Sequence, residues 1–167
     1  MTARLIMALI LFAAIPQVSA DDEPKKKSTP VFKITSQLFA QGVSFDKEGH
    51  CRAAGGVSLK AWQLPGFPAE IPHFESCTTI SSPTTSGEVD FVFSIVDKAG
   101  DRLQHVDGVL DLGKVGQVSQ AVDWDHLKIP AAGIYYFAIK IEGQEIGRYP
   151  MSFNSRKARH KRAGKKH

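Results

Sequence analysis

Residues 133–143 read GIYYFAIKIEG, and the spacing of their apolar side chains decides the fold class. Successive side chains of a strand point to opposite faces. Tyr135, Phe137, Ile139 and Ile141 therefore share one face, while Ile134, Tyr136, Ala138 and Lys140 share a more mixed one. This is the pattern of a half-buried strand. Upstream, residues 90–97 read DFVFSIVD and alternate in the same way, with Phe91, Phe93 and Ile95 as the expected core face. SQLFAQGVSF (36–45), CRAAGGVSLKAW (51–62), HFESCTTIS (73–81), RLQHVDGVLDL (102–112) and RYPMSF (148–153) are further short runs rich in β-branched and aromatic residues. Hardly any segment keeps a helical period, so the chain reads as all-β with about seven strands.

The turns indicate that neighbouring strands pair. FDKEGHC (45–51) and VDKAGDR (96–102) both carry Asp-Lys-x-Gly, at Asp46/Gly49 and Asp97/Gly100. An Asp that bonds its own turn, followed by a Gly able to take positive φ, suits a tight antiparallel connection. A third hairpin is expected around Glu142 to Glu145. Local hairpins joined by longer links such as QLPGFPAEIP (63–72) point to a two-sheet antiparallel sandwich. Trp62, Phe67 and Phe74 flank that link; core packing is one reading for them and a ligand platform the other.

The order of these features resembles a family. LFAQGVSFDKEGHCRAAGGVSL (38–59), LPGFPAEIP (64–72), VDFVFSIVDKAGDRL (89–103) and LKIPAAGIYYFAIKIEGQEIGRYPMSF (127–153) together look like small, functionally uncharacterised bacterial β-sandwich proteins. The resemblance runs from about Leu38 to Phe153 and implies an immunoglobulin-like sandwich. Pro130, Gly133, Tyr135, Gly143, Gly147 and Pro150 fit its turn and strand roles, and the family brings no known substrate.

Around this body the ends are of another kind. Residues 1–20, MTARLIMALILFAAIPQVSA, pair one basic residue with a short apolar run and a small-residue cut, the form of a secretory signal peptide. The apolar run is well short of the roughly 20 residues that span a bilayer. Residues 21–30 read as a disordered charged leader, 31–153 as the sandwich domain and 154–167 as a disordered basic tail. A secreted or periplasmic location in a bacterial envelope follows. In that oxidising setting Cys51 and Cys77, the only cysteines of the 167 residues, are expected to form a disulfide.

Charge is split between body and tail. Of 21 Lys and Arg, Arg4 lies in the signal, three in the leader and seven in the tail, leaving ten between Ser28 and Phe153 against fourteen carboxylates. The tail cations are Arg156, Lys157, Arg159, Lys161, Arg162, Lys165 and Lys166. They suit salt-dependent adhesion to a polyanion such as lipid head groups, lipopolysaccharide, wall polymers or extracellular DNA, or to an acidic protein face. The same residues also read as a solvated end. No aromatic residue interleaves with them, which argues against base stacking and specific nucleic-acid recognition.

Signatures of chemistry are sparse. Gly-x-Ser-x-Gly and glycine-rich phosphate loops are missing, so nucleophilic hydrolysis and nucleotide binding lack support and no cofactor is expected. The one constellation is Asp123, Trp124, Asp125, His126: its carboxylates and imidazole form a weak candidate for a metal or general-base site, and otherwise a polar loop with Trp124 as a plug. The resulting expectation is a monomeric, non-catalytic envelope module that binds a polyanion or protein. A metal-dependent binder or hydrolase around Asp123, Asp125 and His126 is the alternative.

Overall fold

A computed structural model describes residues 30–54, 59, 61–114 and 116–156. The expected signal peptide (1–20), nearly all of the leader and the tail from Lys157 onward lie outside the described residues. Ten strands are described: β1 (Lys33–Ala40), β2 (Val43–Phe45), β3 (Cys51–Ala53), β4 (Ala61–Leu64), β5 (Ala69–Ser81), β6 (Glu88–Val96), β7 (Arg102–Asp111), β8 (Gln117–Ile129), β9 (Gly133–Ile141) and β10 (Gln144–Ser155). They form a three-stranded sheet in the order β1-β5-β8, a five-stranded sheet in the order β4-β10-β9-β6-β7, and the small β2-β3 pair.

The alternation read from the sequence places the core. Tyr135, Phe137, Ile139 and Ile141 of β9 are buried, as are Phe91, Phe93 and Ile95 of β6. The other main sheet contributes Phe39, Phe74, Ile80 and Trp124. Edge-on aromatic contacts bridge the two sheets, with ring centroids of Phe39 and Phe137 5.4 Å apart and those of Trp124 and Phe137 5.8 Å apart. Phe74 and Trp62 are buried within this cluster, and Phe67 packs against it, so the aromatic residues beside the Pro-rich link belong to the core.

All three expected hairpin turns are present. Asp46 Oδ1 accepts from the backbone N–H of Glu48 and His50, and Asp97 Oδ1 accepts from that of Asp101. Gly49 and Gly100 both take positive φ, which a residue with a Cβ adopts only with strain. The third turn consists of Glu142 and Gly143, both at positive φ, between the paired Ile141 and Gln144. Two left-handed residues give a turn whose twist matches that of the flanking strands.

Four expectations about strands are corrected. Ten strands replace seven, because Gln41 and Gly42 break the first run into β1 and β2, and CRAAGGVSLKAW contributes β3 and β4 to different sheets. The architecture is not wholly antiparallel: β4 runs parallel to β10, Ala61 opposite Ser152 through Leu64 opposite Ser155. β10 continues through Asn154 and Ser155, two residues past the expected end of the domain at Phe153, and the Arg156 N–H donates to the Leu64 carbonyl over 2.7 Å. Finally, Asp123 to His126, for which a polar loop is one reading of the sequence, lie within the thirteen-residue strand β8.

Cys51 and Cys77 are joined in a disulfide with their Cα atoms 6.0 Å apart. It fastens β3, and with it the β2-β3 hairpin, onto the outer face of β5.

Candidate functional site

β5 is central in its sheet, and its alternation sorts the polar residues. Phe74, Ser76, Thr78 and Ile80 are all fully buried. His73, Glu75, Cys77 and Thr79 take the intervening positions on the outer face, where His73 and Glu75 are partly exposed while Cys77 and Thr79 are buried beside Cys51 of β3. Register then sets His73 opposite Asp125 and Glu75 opposite Asp123 on the neighbouring β8. On β8, Trp124 is fully buried between the two exposed aspartates. Two polar pairs at i, i+2 are thus laid side by side on one outer face.

Their contacts are directional. His73 Nδ1 lies 2.8 Å from Asp125 Oδ1, so a protonated Nδ1 donates to that carboxylate. The other ring nitrogen, Nε2, lies 3.7 Å from Glu75 Oε1. Ligand atoms of His73, Glu75 and Asp123 all fall within 4.8 Å of one another. Glu75 is held independently, because its Oε2 accepts the backbone N–H of Val43 in β2 over 2.8 Å. The hydrogen bond to Asp125 is the main reason the His73 pKa is raised; the charge of Asp125, the contact with Glu75 and the field of Asp123 add to it, against desolvation. The Gln104 side chain of β7 donates to the Asp125 backbone carbonyl, 3.2 Å away.

The constellation read from sequence is therefore assembled only in part. Asp123 and Asp125 do share one side, as an extended segment requires. His126 does not join them: it sits at φ 54° and its Nδ1 lies 2.6 Å from Glu70 Oε1. Asp125 and His126 are exposed in succession before Leu127 returns to the core, and the facing β5 slips likewise between Ile71 and Phe74, so the alternation shifts by one residue in both strands while their register holds. His73 and Glu75 were missed as site residues. Their signal was available in the sequence, since His73-x-Glu75 in one strand has the same spacing as Asp123-x-Asp125 in another.

The disulfide-tied hairpin separates this cluster from a second polar area on the same outer face. There Thr79 Oγ1 lies 3.0 Å from Ser36 Oγ and 2.9 Å from Ser119 Oγ, a row of hydroxyls running across all three strands. His50, Arg52 and Gln117 border it in a shallow polar cleft. Arg52 is not free to receive an anion, because its Nε and Nη2 lie 3.0 and 2.9 Å from Asp46 Oδ2. Of the seven tail cations only Arg156 is described; the other six lie outside the described residues. No helix among the described residues is long and apolar enough to cross a membrane.

Residues 35–154 match a family model described as a family of unknown function, DUF6941. No curated protein matches the chain. Solved structures with some likeness include the Pseudomonas fluorescens alkylpurine DNA glycosylase AlkC bound to DNA containing an abasic site analog, at 10% identity and a TM-score of 0.46, covering 74% of this chain and 30% of that one. A Bifidobacterium dentium β-glucuronidase complexed with coumarin-3-O-glucuronide gives 13% identity, a TM-score of 0.37 and coverage of 75% and 17%. Dimeric latent PorU from Porphyromonas gingivalis gives 14%, 0.39, and 72% and 12%. The chain spans less than a third of the length of each of these three proteins.

Proposed function

The chain belongs to the DUF6941 family of unknown function, and from that premise we propose a non-catalytic binding module of the bacterial cell envelope, secreted or periplasmic, whose basic tail adheres to polyanions. In this reading the body is a variant of the immunoglobulin-like sandwich, with β4 added in parallel along β10. The observation that carries it is the division of charge. Seven cations fall within fourteen residues at the end of the sequence, after a body in which carboxylates outnumber Lys and Arg by fourteen to ten. A domain that binds nucleic acid through its fold would continue the positive surface onto its strands. Here the outer face of β5 and β8 displays Glu75, Asp123 and Asp125 instead. The expected signal peptide at 1–20 and the Cys51–Cys77 disulfide support export.

Retention of the mature protein on heparin and on anionic vesicles, followed as salt rises, tests the adhesion. Log affinity falls linearly with log salt, and the slope steepens with every anionic group that a cation neutralises. The full tail gives a steep fall. A chain ending after Arg156, which keeps the bond to Leu64, gives little retention at any salt. Equal retention of the two forms overturns the reading.

A further inference from the structure

We propose that the outer face of β5 and β8 carries a surface site for a borderline divalent transition metal, with Zn²⁺ as the type ion, ligated by His73 Nε2 and the carboxylates of Glu75 and Asp123. This inference is independent of the adhesion assigned to the tail. The site is more than an accumulation of acids, because an imidazole is aimed into it. His73 has its Nδ1 engaged by Asp125 at 2.8 Å, which turns Nε2 toward Glu75 Oε1 at 3.7 Å. A carboxylate on one ring nitrogen and a ligand position on the other is the arrangement by which proteins fix the tautomer of a metal-binding histidine.

Spacing fits an ion of this size. Two donors about 2.1 Å from one tetrahedral zinc lie about 3.4 Å apart. The observed 3.7 Å between Nε2 and Oε1 needs a shift of a few tenths of an ångström at the end of the Glu75 side chain. The Asp123 carboxylate lies within the same 4.8 Å set. The ligands are also positioned by separate elements. The β5-β8 register places His73 opposite Asp125 and Glu75 opposite Asp123, and the Val43 N–H, from a hairpin fastened by a disulfide, holds the second oxygen of Glu75 at 2.8 Å.

Charge and donor type set the class of ion. Described Arg side chains form ion pairs with Asp46 and Glu145, not with Glu75, Asp123 or Asp125, so the three carboxylates here carry negative charge that the described Arg residues leave uncompensated. One imidazole nitrogen with carboxylate oxygens and no thiolate favours zinc and its first-row neighbours over Ca²⁺ and Mg²⁺, which take all-oxygen shells. Three protein ligands leave a position open to water or to a donor from a partner.

Titration of the full mature chain with Zn²⁺, followed by calorimetry and by the rise in thermal midpoint, tests the proposal. His160→Ala and His167→Ala are included to silence the tail imidazoles, and His50→Ala to silence the Asp46, Glu48, His50 group on the β2-β3 turn. One Zn²⁺ per chain is expected to remain in that background. His73→Ala abolishes it, and Asp125→Asn weakens it by roughly 10- to 100-fold. Ca²⁺ in place of Zn²⁺ gives neither heat nor a thermal shift. Both His73 variants, with His73→Gln as the second, are checked for a cooperative metal-free unfolding transition well above the titration temperature, so that loss of the ion is not loss of the fold. Zinc that stays bound after His73→Ala and His73→Gln overturns the site, as does a parent background that binds no Zn²⁺.

Discussion

The indole Nε1–H of Trp124 donates to Ser76 Oγ over 2.8 Å in the interior, where both side chains are fully buried. The bond joins β8 to β5 from the core side, directly behind the Asp123, Asp125, Glu75 cluster. Ser76→Ala leaves a buried donor unpaired and costs about 1–3 kcal/mol. Trp124→Ala also opens a cavity between Phe74 and Phe137 and costs about 3–5 kcal/mol. Urea denaturation of the two variants measures both, and Trp124→Ala is expected to be the more severe.

Reduction of Cys51–Cys77, 26 residues apart, removes a constraint worth roughly 3–4 kcal/mol in the chain-entropy account. The loss is expected to be uneven. Hydrogen exchange should quicken first over Val43–Ala53, while the amides of β6 and β9, whose buried faces lie in the main core, keep their protection.

His73 titrates above the ordinary imidazole value of 6.5 in the folded chain. The folded state thus holds the proton more tightly than the unfolded one. The stabilisation from the His73–Asp125 pair is fully present below pH 6.5 and is lost as pH rises through the elevated folded value. NMR of the imidazole protons should show the raised midpoint, and Asp125→Asn should bring it back down. A midpoint unmoved by that substitution would mean that Asp125 is not the cause.

Gly116 has φ +64°, and a Cβ there would run into the Ser82 carbonyl. The two residues are already tied, since the Ser82 N–H donates to the Gly116 carbonyl over 2.7 Å. Gly116→Ala combines about 1–2 kcal/mol of left-handed strain with a backbone clash, so a fall in thermal midpoint larger than strain alone gives is expected. Gly113→Ala is the control, with φ +57° and open space around its missing Cβ, and should show the strain cost alone.

Much of the five-stranded sheet was legible in the sequence. DFVFSIVD and GIYYFAIKIEG alternate cleanly because each buries one full face in the core; the turn after the first is bonded by its own Asp97, and the turn after the second carries a glycine at positive φ. β8 was not legible, for two physical reasons. Its outward positions Asp123, Asp125 and His126 have the composition of a loop, and the left-handed backbone at His126 breaks the alternation that Val122 and Trp124 begin. The candidate site was half legible. A shared side for Asp123 and Asp125 follows from strand geometry alone. That His73 faces Asp125 across 52 residues of chain, while His126 turns to Glu70, depends on which strands pair and in what register, and neither is written in local spacing.

The hairpin riveted to β5 makes the alignment of the outer face conditional on oxidation. Glu75 is oriented by a backbone donor from β2, and the β2-β3 hairpin is fastened by the bond from Cys51 to Cys77. A chain folded with reduced thiols would still display His73, Glu75 and Asp123, but without the covalent brace that keeps Val43 seated on the glutamate. The arrangement of these side chains thereby carries a chemical memory of the compartment in which the chain folded.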